Sequence, residues 1–83
     1  MDTHSTIRQF IATDLARDLS TVANSDSLLE AGIIDSMAVL QIVGFLEQRF
    51  GVTVGDDDMM PENFETVDAM AAFVDRSRRG QGV

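Results

Sequence analysis

At 83 residues the chain is long enough for one small domain and too short for a second of ordinary size. Hydrophobic residues make up 45% and charged residues 24%, a globular composition that excludes a chain disordered for want of a core. Fourteen acids against six bases leave a net charge of −8, so nucleic-acid phosphates and anionic membranes repel it, and proteins with basic patches are the expected partners.

The first apolar face comprises Ile7, Phe10, Ile11, Leu15 and Leu19, spaced as one side of an amphipathic helix. Asp2, Thr3 and Ser5 each suit its N-cap. His4, the one histidine, has no motif around it and reads as solvent-exposed. Ser20 to Asp35 reads as a long loop: a polar half expected to be mobile, then an apolar half, Leu28, Leu29, Ala31, Ile33 and Ile34, expected to be pinned to the core.

Asp35-Ser36 begins a second helix, and Gly51 ends it. On a helical wheel Val39, Ile42, Val43, Leu46 and Phe50 share one arc of about 100°, the expected core. The opposite side carries Ser36, Met37, Leu40, Gln41, Gly44, Glu47 and Gln48. A solvated face would be more charged; a leucine, a methionine and a glycine here read as a docking face to which a partner backbone comes close. Ser36 sits at the first helical position, where a phosphate ester would meet unpaired N–H groups and the positive end of the helix dipole.

Val52 to Gly55 is a short link with no second strand to pair with. Asp56 to Phe64 has room for at most a short helix or a 3-10 turn, since Pro61 fits a first helical turn and not an interior. Thr66 caps a last helix carrying Val67, Met70, Ala71, Phe73 and Val74, with Arg76, Arg78 and Arg79 near its C-terminus. The expected fold is all-α: a small four-helix bundle of three main helices and one short one, with the long loop between helices 1 and 2. Residues 1–76 form the single domain, and residues 77–83 a basic tail expected to fray.

Much chemistry is missing. Without cysteine there is no disulfide, thiolate metal site or thiol nucleophile. Ser36 as a nucleophile would need a base, and the chain has no lysine and one remote histidine. A calcium loop starting at Asp56 would need glycine and glutamate where Pro61 and Val67 stand, so no metal site is expected. No apolar run is long enough to span a bilayer, and the polar N-terminus is unlike a secretory signal. A cytoplasmic, monomeric, non-catalytic protein is expected.

Leu28-Leu29-Glu30-Ala31-Gly32-Ile33-Ile34-Asp35-Ser36-Met37 resembles the attachment segment of acyl and peptidyl carrier proteins, whose core is Asp-Ser-Leu; Met37 stands where leucine is usual. Phe50-Gly51-Val52, the acidic turn before Pro61-Glu62-Asn63-Phe64, and Thr66-Val67 are also similar, so the resemblance runs from about Ile7 to Val74. It implies a four-helix carrier fold with Ser36 as the attachment point for 4′-phosphopantetheine and Asp35 as the helix cap beside it. It also implies a phosphopantetheinyl transferase that takes the group from coenzyme A, a cargo-loading enzyme (adenylating or acyl-transferring), and a downstream synthase or acyltransferase.

Carriers of fatty acid synthesis resemble one another in a heavily acidic second helix, whereas Glu47 is the one acid on this exposed face. The Gly-Ile-Ile-Asp-Ser-Met form is more similar to freestanding carriers of specialised biosynthesis. The implied role is carriage of a short acyl or aminoacyl thioester between enzymes of the polyketide or nonribosomal-peptide type. Composition by itself leaves an alternative: a cofactor-free acidic helical adaptor for a basic protein.

Overall fold

The computed structural model describes residues 2–81, which form four α-helices, one 3-10 turn at Asp56–Asp58 and, among those residues, no strand. Helices α1 (Thr3–Thr13), α2 (Ser36–Phe50) and α4 (Val67–Gln81) surround the core, and α3 (Pro61–Phe64) is a single turn packed on α4. The all-α bundle expected from the sequence is the observed fold.

Helix α1 starts on Asp2, whose carboxylate accepts the Ser5 backbone N–H at 2.7 Å. That bond holds its pKa below the usual carboxylate value. Ile7 and Ile11 are fully buried. The helix stops at Thr13, well short of the Leu19 at which its apolar pattern ends. The Thr13 hydroxyl donates to the Gln9 carbonyl at 2.6 Å, and Ala16 turns into the left-handed region at φ 54°. The Arg17 guanidinium clamps this turn through the Ile33 carbonyl at 2.7 Å and the Leu15 carbonyl at 3.1 Å. Leu19 is buried from outside the helix.

A left-handed alanine carries a steric penalty of ~1–2 kcal/mol that glycine lacks, partly offset by the larger entropy of glycine in the unfolded chain. Ala16→Gly is therefore expected to stabilise the domain by ~0.5–1 kcal/mol, read as a higher urea midpoint. A lower midpoint would mean that the Ala16 methyl makes a contact worth more than the strain.

The loop after Leu19 is held along its whole length. Leu28 and Ile34 are buried, and the Leu28 N–H donates to the Glu65 carbonyl at 2.7 Å. The polar half, expected to be mobile, is tied down as well. Arg8 donates to Asn24 Oδ1 at 3.0 Å and to the Leu19 carbonyl at 2.8 Å, and the Asp68 N–H donates to the Asn24 carbonyl at 3.0 Å. These bonds link residues distant in sequence, which is why composition alone reads as a free loop. His4 is likewise engaged, its Nε2 2.9 Å from Asp68 Oδ1, joining the start of α1 to the start of α4.

Pro61 opens α3 at its first position, and Phe64 closes it, buried against Phe73 with ring centroids 5.5 Å apart. The Thr66 hydroxyl accepts the Ala69 N–H at 2.9 Å and so caps α4. That helix runs to Gln81, with the arginines in its C-terminal part, and neither a proline nor a left-handed glycine interrupts it among the described residues. Of the expected tail, Gly82 and Val83 lie outside the described residues.

Candidate functional site

The site is built on the N-terminal half of α2. Asp35 is in extended backbone, and its carboxylate accepts the Ala38 N–H at 2.9 Å, so the helix begins at Ser36. Ser36 is exposed. Its backbone belongs to the first turn, where N–H groups lack intrahelical acceptors. At the far end Gly51 adopts φ 68° and donates its N–H to the Glu47 carbonyl at 3.0 Å, closing the helix.

The buried stripe of α2 is Ala38, Ile42 and Leu46, whereas Val39, Val43 and Phe50, expected in the core, are half-buried. The helix is rolled toward α1 relative to the expectation because Phe45 stacks on Phe10, with ring centroids 4.2 Å apart and planes within 15°. An aromatic contact between two helices has no signature in the periodicity of either one. The roll turns Val39 away from the centre of the core and toward the segment before α3.

On the opposite side, Met37 is 68% and Leu40 56% exposed, with Gln41, Gly44 and Gln48 also exposed. A Cβ at Gly44 would meet no atom within 4 Å, so packing within the chain does not require glycine there. Glu47 differs from the expectation of a docking residue: it is half-buried, and its carboxylate accepts the Val54 N–H at 3.0 Å, securing the link after the helix.

Ser36 forms part of the wall of a pocket of about 270 Å³. Val39 and Leu40 contribute from α2, Leu29 from the loop, and Met59, Met60, Pro61 and Phe64 from the segment entering α3 and from α3 itself. Met59 and Met60 escaped the sequence reading. The available signal was two adjacent methionines in an acidic turn that solvation alone would not explain. They join Met37 and Leu40 as the large hydrophobic side chains exposed among the described residues. Asp56, Asp57 and Glu62 are exposed in the same segment.

This arrangement presents a hydroxyl to the outside beside an apolar depression, with no base in hydrogen-bond contact among the described residues. No group of three or more potential ligands is placed to hold a metal ion among those residues, and no described helix is long and apolar enough to cross a membrane.

Comparison with known proteins agrees with this geometry. The family model described as a phosphopantetheine attachment site matches residues 5–74. A D-alanyl carrier protein of Streptococcus suis is 32% identical over 89% of this chain and 92% of its own length. The probable acyl carrier protein PigG of a Serratia strain is 43% identical over 49 residues, which is 59% of this chain and only 56% of that relative. Among solved structures, a chain in the crystal structure of an FAD-dependent dehydrogenase superposes with a TM-score of 0.71 at 30% identity, over 82% of this chain and 97% of that one.

Proposed function

The chain belongs to the phosphopantetheine attachment-site family, and we propose that Ser36 is the residue to which 4′-phosphopantetheine is joined. It is a carrier and not a catalyst, and the arm supplies what the sequence lacks, a thiol on which cargo rides as a thioester. The cofactor-free adaptor left open by composition gives way to this reading.

The observation that carries the assignment is an exposed serine hydroxyl at the first position of α2, held there by the Asp35 cap. In the transfer, Ser36 Oγ bonds to the phosphorus that bears the pantetheine in coenzyme A. The bond from that phosphorus to the departing adenosine 3′,5′-bisphosphate breaks, and the serine proton passes to a base of the transferase. A base inside the carrier is unnecessary. The resulting phosphodiester lies at a helix N-terminus, where its negative charge is favoured. The test is the intact mass after incubation with coenzyme A and a broad-specificity phosphopantetheinyl transferase. One phosphopantetheine located on the Ser36 peptide supports the assignment, and modification at another residue overturns it.

The cargo in this reading is a short acyl or aminoacyl group, passed between enzymes of polyketide or nonribosomal-peptide type. Likeness to D-alanyl carriers supports an aminoacyl group. Partners dock on Met37, Leu40, Gln41, Gly44 and Gln48. An apolar centre with a bare glycine backbone suits close packing of a partner against α2. Leu40→Arg is expected to leave the unfolding midpoint within about 0.5 kcal/mol of wild type, as surface changes do, while slowing loading by the cognate enzyme at least tenfold. Unfolding of the variant would place Leu40 in the core instead.

A further inference from the structure

We propose that Arg17 is a positioning residue for the attachment step: by holding the Ile33 carbonyl, its guanidinium fixes the chain that leads into Ser36 in the conformation a phosphopantetheinyl transferase engages. This rests on Ser36 being the attachment residue.

Ser36 is fixed from two sides. Downstream it belongs to α2, whose Ala38 and Ile42 are buried. Upstream it depends on Gly32 to Asp35, which lie outside any helix. Gly32 is left-handed at φ 74°, and the Ile33 and Ile34 N–H groups both donate to the Leu28 carbonyl, at 2.9 and 3.3 Å. Those bonds close the stretch on its own preceding turn and do not set its place relative to α1. The Ile34 side chain is buried, but burial is non-directional and anchors the stretch without fixing its rotation. Direction comes from Arg17 Nε, which donates to the Ile33 carbonyl at 2.7 Å, three residues before Ser36.

The partners of Arg17 are unusual for its setting. In a chain of fourteen acids and six bases, an exposed arginine is expected to lie against a carboxylate. Arg17 instead bridges two main-chain carbonyls, Ile33 through Nε and Leu15 through Nη1 at 3.1 Å. A planar guanidinium presents its donors in a rigid fork, so it sets the spacing of the groups it joins. The strained Ala16, at φ 54°, belongs to the same device. It turns the chain after α1 so that Arg17, whose own N–H donates to the Ile11 carbonyl at 3.2 Å, reaches back to the segment before α2. Without the fork the Ile33 carbonyl is satisfied by water, and the stretch before Ser36 visits other conformations. The transferase then meets a competent carrier only part of the time, and apparent affinity falls by that fraction. The reacting oxygen and its helix are unaltered, so chemistry after docking is preserved.

The experiment measures steady-state transfer from coenzyme A by a broad-specificity phosphopantetheinyl transferase onto wild type, Arg17→Met and Arg17→Lys. Methionine keeps the stem without its donors, and lysine keeps one donor group. The expected result for Arg17→Met is a KM for the carrier raised about tenfold with kcat within about twofold of wild type, and for Arg17→Lys a KM within about threefold. Hydrogen exchange of the Ile33 and Ile34 amides should quicken about tenfold in Arg17→Met, while Phe73 and Val74 in α4 exchange as in wild type. That comparison separates local release from global unfolding, which would also raise KM by depleting folded carrier. Unchanged KM in Arg17→Met, a loss confined to kcat, exchange that quickens equally in α4, or Arg17→Lys no better than Arg17→Met would each overturn this inference and leave the attachment assignment intact. Absence of modification of the wild-type chain at Ser36 would overturn both together.

Discussion

Ser36→Ala is expected to gain no mass on incubation with coenzyme A and a phosphopantetheinyl transferase, under conditions that convert the wild-type chain completely. The loss should be total because the change removes the oxygen that forms the phosphodiester, and every later thioester depends on that bond. The fold should not register the change. Ser36 is exposed, and the bond that starts α2 runs from the Ala38 N–H to the Asp35 carboxylate, neither of which is altered. Alanine is the better helix former by roughly half a kcal/mol. Circular dichroism and a urea midpoint equal to or slightly above wild type would show loss of function without loss of structure. A variant that is still modified would remove Ser36 from the mechanism; one that unfolds would make the serine structural.

Leu46→Ala should have the largest effect on stability. Leu46 is fully buried in the stripe of α2 that faces the core, and truncating such a leucine costs ~2–5 kcal/mol through lost burial and the cavity left behind. A domain of this size lies near the lower end of the ~5–15 kcal/mol common among folded proteins, so the variant should be partly unfolded at room temperature. Val43, which shares the wheel arc with Leu46 but is only half-buried, should lose less than ~1 kcal/mol as Val43→Ala, because its methyls can be replaced by water. Urea melts of the two variants measure the difference. A near-neutral Leu46→Ala would contradict the placement of α2.

The contrast between Leu46 and Val43 marks where helical periodicity stops being informative. A wheel gives the width of an apolar face but centres it only on the residues of that helix. The centre here is moved by Phe10 stacking on Phe45, a contact between residues far apart in sequence. Glu47 makes the same point for the polar face: its position on the wheel is outward, yet its carboxylate is engaged by the Val54 N–H. The loop from Ser20 to Ser27 has the composition of a mobile segment, and its anchors, Arg8 and the Asp68 N–H, come from α1 and α4.

Local chemistry was enough for everything that depends on neighbours along the chain. The Asp35 cap, the exposed hydroxyl at the start of α2, the left-handed Gly51, Pro61 at the head of α3 and the Thr66 cap each involve residues within a turn of one another. The family resemblance is carried by the same short motifs. Only the tertiary structure decided which side chains complete the surroundings of Ser36. The wall supplied by Met59, Met60 and Pro61 comes from more than twenty residues downstream. That wall exists because burial of Phe64 against Phe73 draws the segment down beside α2. Hydrophobic burial is non-directional along the sequence, so the partner that a buried ring selects is set by the packing of the whole bundle.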